Sequence, residues 1–318
     1  MRPYLLLTLL LAFPAASFAE RPWNPEVQGH RGARWVRPEN TLAAFEEALK
    51  AGVDVLEFDL NVTKDDVVVV THDQRINPLI CTGPEGKAPL SSPAIRSLTL
   101  AELKRYDCGS LRNLSFPHQT PSPGERIPTL DEVMAYVTVS AHPEAAGIRF
   151  NIETKINKHK PDLSPEPEEF VRLTLAVLRK YGVTGRTIIQ SFDERTLEET
   201  KKQAPEVLTS RLTGNPFDLL GTPHKTCADI ISPYYKWLNK AVVARLHRQG
   251  FKVIPWTVNK PRAWGCMKRI GVDAILTDNP GGLIEYLAAS GRAAPDEDLD
   301  EPEPPSQEEE AEALAEEY

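Results

Sequence analysis

Several large protein classes are excluded by what this chain has little of. Only four of its 318 residues are cysteine (Cys81, Cys108, Cys227 and Cys266), and none are spaced as the CxxC pairs of a structural zinc site. No GxGxxG follows a strand-like run, so nothing marks a dinucleotide-binding open sheet. The apolar run YLLLTLLLAF at 4–13 has about half of the ~20 residues a spanning helix needs, so no stable membrane span is expected. Basic residues are not in excess either, with 37 Lys or Arg against 45 Asp or Glu, net −8. Twelve of those acids, and no Lys or Arg, fall in 295–318. Setting that segment and Arg2 aside leaves 36 basic against 33 acidic residues, a balance that argues against nucleic-acid binding.

The two ends read as processing and solvation rather than fold. Residues 1–19 run from Arg2 through the apolar stretch to PAASFA, with small Ser17 and Ala19, the order of a secretory signal peptide cut before Glu20. No cysteine follows that stretch, so a bacterial lipid anchor at this site is not expected. The expectation is a secreted or periplasmic protein with its folded domain in 20–294. The acidic segment 295–318 reads as a disordered tail. In an oxidising compartment Cys81 and Cys108, which share one loop-rich segment, are candidates for a disulfide, while Cys227 and Cys266 read as ordinary buried thiols.

What is present is an alternation. Eight short strand-like runs stand at 27–30, 53–62, 147–155, 187–192, 207–213, 229–233, 251–258 and 273–278. Helical patterns separate most of them, such as NTLAAFEEALKAG, with Asn40 as the expected N-cap and Gly52 at the exit. Eight strand–helix repeats predict a parallel, closed (β/α)8 TIM barrel in the α/β class. The rhythm breaks after VVVVTHD at 67–73. A Pro-, Gly- and Ser-rich stretch at about 74–128 is too long for a bare loop and predicts a small inserted subdomain.

In such barrels chemistry gathers where strands end. The first strand ends on His30-Arg31-Gly32. In the second, period-two alternation sets Glu57, Asp59 and Asn61 on one face and Leu56, Phe58 and Leu60 on the other. The strand at 147–155 repeats the pattern with Asn151, Glu153 and Lys155. Carboxylates pointed together into a barrel repel unless a cation neutralises them, and an all-oxygen set favours Mg2+ or Ca2+. A salt-bridge network with Arg31 and Lys155 is the alternative. His72 closes the run VVVVT, which can pair back on the second strand. Histidines at two strand ends suit general acid–base work, and Arg31 with Lys155 suits an anion. Together these point to phosphoryl transfer. A glycosidase would leave the histidines and Arg31 unused, and an amidohydrolase barrel would need more histidine ligands.

The segments GHRG…PENTLAAF, GVDVLEFDLNVTKDDVVVVTHD, SLTLAELKRYDCG, IPTLDEV, FNIETK, IIQSFD, PWTVN and GVDAILTDNP occur in this order. From residue 27 to about 287 the chain resembles the glycerophosphodiester phosphodiesterase family. The resemblance implies a TIM barrel with an insertion, and hydrolysis of a glycerophosphodiester to sn-glycerol 3-phosphate and an alcohol. It implies His30 and His72 as the acid–base pair, and Glu57, Asp59 and Glu153 as ligands of a divalent cation, Mg2+ or Ca2+. Arg31 would hold phosphate with Lys155 near it, Gly32 would give the phosphate room, and Phe192 and Trp256 would wall the glycerol or leaving-group pocket. One departure is Lys64-Asp65-Asp66, where many members carry Asp-Gly in the hairpin turn. Two alternatives differ in class. One is a lysophospholipase D-like or phosphoinositide-type lipid phosphodiesterase; PAIRSLTLAELKRY in the insertion is only moderately amphipathic. The other is a non-catalytic binding protein on the same barrel, which loss of His30, His72 or one of the metal carboxylates would have signalled.

Overall fold

The computed structural model describes residues 24–87, 89, 91–138, 143–219 and 227–290. The expected signal peptide and acidic tail lie outside these described residues. Nine strands form one sheet: β1 (Glu26–Gly29), β2 (Val55–Val62), β3 (Val68–Val70), β4 (Arg149–Thr154), β5 (Thr187–Ser191), β6 (Leu208–Thr213), β7 (Ile230–Pro233), β8 (Lys252–Val253) and β9 (Ala274–Thr277). All but β3 are parallel, in the order β8-β7-β6-β5-β4-β2-β1-β9. Backbone bonds from Asp273 N to Val253 O (2.9 Å), Leu276 N to Pro255 O (3.2 Å) and Val258 N to Leu276 O (2.9 Å) join the two ends into a barrel. Beyond Val253 the contact with β7 continues only as single bonds, from Ile254 N to Ile231 O and from Trp256 N to Pro233 O, because Pro255 and Pro233 have no N–H to donate. All eight strand runs expected from the sequence are therefore present.

Around the barrel run α1 (Leu42–Ala51), α3 (Leu130–Thr138), α4 (Pro167–Lys180), α5 (Glu194–Gln203), α6 (Lys240–Arg248), α7 (Pro261–Ile270) and α8 (Pro280–Ser290), while the one-turn α2 (Leu100–Leu103) lies in the insertion. Leu56, Phe58 and Leu60 are fully buried in the layer between strands and helices, Phe58 edge-on to Phe45 of α1 at 5.5 Å. The alternate residues Glu57, Asp59 and Asn61 point inward. α1 ends on Gly52 in the left-handed region (φ 84°), as expected. Its N-cap is Thr41, whose hydroxyl accepts from Ala44 N, and not Asn40. Asn40 itself sits at φ 55° with its amide turned to Asp59, and this longer-range bond displaces the cap by one residue.

β3 pairs antiparallel on β2, with Asn61 opposite Val69. The turn between them holds Asp66 at φ 60°, which explains why glycine suits this place and why Asp is tolerated. The insertion has its own small core of Ile76, Ile95, Leu103 and Ile127 with the Cys81–Cys108 disulfide. Asp107 ties its loops, accepting from the N–H of Gly109, Ser110 and Gly124, and these bonds hold its pKa down at about 2 against the cost of burial. Of the two remaining thiols, one meets the expectation of burial and one does not. Cys266 is buried, whereas Cys227 is exposed in the segment entering β7.

Candidate active site at the barrel mouth

A cavity of about 250 Å³ opens at the carboxyl ends of the strands. His30, Arg31, Glu57, Glu153, Phe192 and Trp256 line it. Asp59, His72 and Lys155 stand beside it. Lys155 Nζ lies 2.7 Å from Glu153 Oε1 and 3.3 Å from Asp59 Oδ1. Asn61 Nδ2 donates to Thr71 O at 2.8 Å, fixing the point where the chain leaves β3 for His72.

Glu57, Asp59 and Glu153 are buried, and each offers an oxygen within 4.8 Å of the others. Their register explains this: Asp59 lies directly opposite Glu153 across the β2–β4 ladder. Glu57 accepts from Arg31 N at 2.9 Å and from Gln190 Nε2 at 2.7 Å. Asp59 Oδ2 accepts from Asn40 Nδ2 at 2.9 Å, with Arg31 Nε 3.3 Å away. Burial and repulsion from Asp59 push Glu57 well above the carboxylate range, and burial carries Glu153 up to about 7 despite Lys155. Burial works the same way on Asp59, but Lys155 and Arg31 outweigh it and hold that carboxyl ionised. Burial and mutual repulsion thus disfavour ionising Glu57 and Glu153 together with Asp59, a cost that a bound cation would relieve. Asp59 Oδ1, buried without a hydrogen bond, completes an all-oxygen donor set that fits a hard divalent cation.

The two histidines are shifted in opposite directions. His30 Nδ1 is 2.6 Å from Asp278 Oδ1. Burial and then Arg31 lower its pKa, against the pull of Asp278, so the ring is neutral near pH 7. Nδ1 carries the proton toward Asp278, an assignment from the hydrogen-bond partner, and Nε2 is left with a lone pair. His72 feels burial, Arg31 and Lys155 pushing down. The surrounding acids Asp59, Asp73, Glu39 and Glu153 together exceed them, so its pKa is raised. Asp73 Oδ1 lies 3.1 Å from His72 Nδ1.

Arg31 occupies the left-handed region (φ 52°), with its guanidinium reaching Glu39 Oε1 at 2.9 Å. Gly32 (φ 84°) does not make room for phosphate as expected. A Cβ there would lie 2.7 Å from the Ala44 carbonyl carbon, so the missing side chain lets α1 approach the strand end. Phe192 and Trp256 meet edge to face at 5.6 Å, and Trp256 donates its indole N–H to Ser232 O. They form the apolar wall with Leu212, Leu276 and Tyr234.

Sequence reasoning missed Arg34, Glu39, Asn40, Gln190, Asn259 and Asp278. A usable signal existed for Asp278 alone, an acid ending the last strand just as His30 ends the first. The others act through contacts between distant segments, such as Asn259 Nδ2 donating to Asp278 Oδ2 at 2.7 Å.

Residues 30–282 match the glycerophosphoryl diester phosphodiesterase family. A glycerophosphodiester phosphodiesterase of Caldanaerobacter subterraneus subsp. tengcongensis is 32% identical over 268 residues, covering 83% of this chain and 98% of that protein. One from Bacillus subtilis is 29% identical, covering 79% and 82%. A solved structure from Silicibacter pomeroyi bearing the same family name superposes with a TM-score of 0.78 at 32% identity, covering 85% of this chain and 95% of that one. The Oleispira antarctica phosphodiesterase, solved with its product sn-glycerol 3-phosphate, shares the fold at a TM-score of 0.67 and 22% identity, covering 83% and 97%. Barrel, buried acids and matched span agree, and the chain belongs to the glycerophosphoryl diester phosphodiesterase family.

Proposed function

We propose that this enzyme hydrolyses glycerophosphodiesters to sn-glycerol 3-phosphate and an alcohol, with Mg2+ or Ca2+ held by Glu57, Asp59 and Glu153. The observation that carries the reading is the buried oxygen triad set beside an oriented, neutral imidazole and two cationic side chains. When bound, the cation draws charge from the phosphoryl oxygens and makes phosphorus easier to attack. Arg31 and Lys155 attract the phosphate anion and orient it. His30 Nε2 takes the proton of the attacking hydroxyl, from water directly or from the substrate's own glycerol. His72, whose acidic neighbours favour its protonated form, returns a proton to the oxygen that leaves as the P–O bond breaks. The glycerol route first gives a cyclic phosphate, which water then opens to sn-glycerol 3-phosphate with the two histidines exchanging roles. Phe192 and Trp256 pack the carbon skeleton beside the phosphate. His30→Ala and Glu57→Gln should each lower glycerol 3-phosphate release from glycerophosphocholine by about 10²-fold or more while the far-ultraviolet spectrum is kept. Undiminished release by both would sink the assignment.

A lysophospholipase D-like or phosphoinositide-type activity is the second reading, and Leu79 and Leu114 of the insertion, 77% and 86% exposed, are the side chains that would meet a lipid. Cleavage of micellar lysophosphatidylcholine in preference to glycerophosphocholine would support it. The apolar segment at 4–13 and the disulfide support export and work outside the cytoplasm. Amino-terminal sequencing of the protein recovered from the exporting cell should start at Glu20; an intact Met1 would refute this. Among the described residues no helix is long and apolar enough to cross a membrane.

A further inference from the structure

We infer that Asp278, Arg34 and Phe116 form a positioning relay that fixes the imidazole of His30, so that the insertion sets the efficiency of the proton-accepting step. This rests on the functional reading above and adds to it residues that touch no reacting atom.

The relay is built from contacts that leave Asp278 little freedom. Its Oδ1 meets His30 Nδ1 at 2.6 Å and Arg34 Nε at 2.9 Å. The latter is a close ion pair off the line of a hydrogen bond. Its Oδ2 accepts from Asn259 Nδ2 at 2.7 Å, and its N–H donates to Asn259 Oδ1 at 2.9 Å. Donors therefore face both carboxylate oxygens, and only an ionised acid satisfies them all. Burial would favour the neutral acid, but Arg34 and His30 hold Asp278 far below the carboxylate range.

Arg34 is committed in the same way. Besides Asp278, it reaches Glu39 Oε2 through Nη1 at 3.3 Å, and its guanidinium carbon lies 4.6 Å from the centre of the Phe116 ring. Phe116 comes from the insertion and is itself buried. The insertion also grips the backbone that carries Arg34. Gln119 Nε2 donates to Arg34 O at 2.8 Å and to Arg37 O at 2.9 Å, and Thr120 N donates to Val36 O at 2.9 Å. Trp35 lies edge-on to Phe116 and stacks on His118. A contiguous path thus runs from the insertion to the catalytic imidazole. Arg34 lines the cavity, and its ion pair with Asp278 and its seat over the Phe116 ring are the contacts that assign it a positioning role.

The test compares Asp278→Asn, Phe116→Leu and Phe116→Trp in the full chain saturated with Mg2+ or Ca2+. Steady-state kinetics on glycerophosphocholine are read together with the 15N shifts of the His30 ring, assigned by its loss in His30→Gln. The wild-type ring should show Nδ1 protonated and Nε2 bare. An amide at 278 has one acceptor for donors on both sides, so the tautomer should change and kcat fall on the order of 10²-fold with KM little altered. Phe116→Leu keeps apolar bulk and removes the ring face; kcat should fall about 3- to 10-fold, with Phe116→Trp restoring it. A rise in KM at constant kcat would make Arg34 a substrate-binding group and overturn the relay. So would wild-type kcat in both Asp278→Asn and Phe116→Leu. If Asp278→Asn fails to fold, Phe116→Leu against Phe116→Trp decides alone. If the wild type cleaves no glycerophosphodiester, the functional reading fails. The nitrogen shifts then judge the relay: changed in Asp278→Asn supports it, unchanged overturns it.

Discussion

At the scale of single residues the site works by holding like groups in unlike states. His30 and His72 share a residue type, yet one is pushed below the ordinary histidine value of 6.5 and the other above it. The sign follows from which form each must supply. His30 accepts a proton only when neutral, so activity is lost as pH falls through its lowered pKa, below 6.5. His72 donates only when protonated, so activity is lost as pH rises through its raised pKa, above 6.5. The expected kcat/KM profile is a plateau across the near-neutral range between two limbs. A narrow, low maximum would mean that the base titrates above the acid and would contradict these roles. The residue types proposed for acid–base work were legible in the sequence because they end strands. Their states were not, because Asp278 and Glu39 reach them from other parts of the chain.

Elements were read more completely than the joints between them. Period-two alternation in β2 and β4 gave the inward acids their face, and the burial of Leu56, Phe58 and Leu60 agrees with it. The first strand–helix joint shows what local pattern cannot give. Asn40 looked like a cap but serves Asp59, and Gly32 looked like space for a ligand but admits α1. The second point has a direct test. Gly32→Ala places a Cβ against Ala44 in a left-handed backbone, next to the N–H that Arg31 gives Glu57. It should lower thermal stability by about 1–3 kcal/mol and displace Arg31, reducing turnover as well. Wild-type melting temperature and turnover would show that the joint is looser than drawn. The insertion was legible only as an interruption. Its disulfide, its small core and its grip on the backbone from Arg34 to Arg37 come from pairings far apart in sequence.

For the molecule as a whole, the barrel brings three acids from two strands, two histidines and two cations to one mouth, and the buried, mutually repelling carboxyls at its floor suit a divalent cation. Everything catalytic in the present reading depends on that ion being bound where Glu57, Asp59 and Glu153 meet. The most direct measurement is glycerol 3-phosphate release from glycerophosphocholine by the full chain, before and after EDTA, and again with Mg2+ or Ca2+ restored. Release that stops with EDTA and returns with one of the two ions is the expected result. Release that continues undiminished in EDTA would contradict the central claim and leave the buried acids as an internal salt-bridge network.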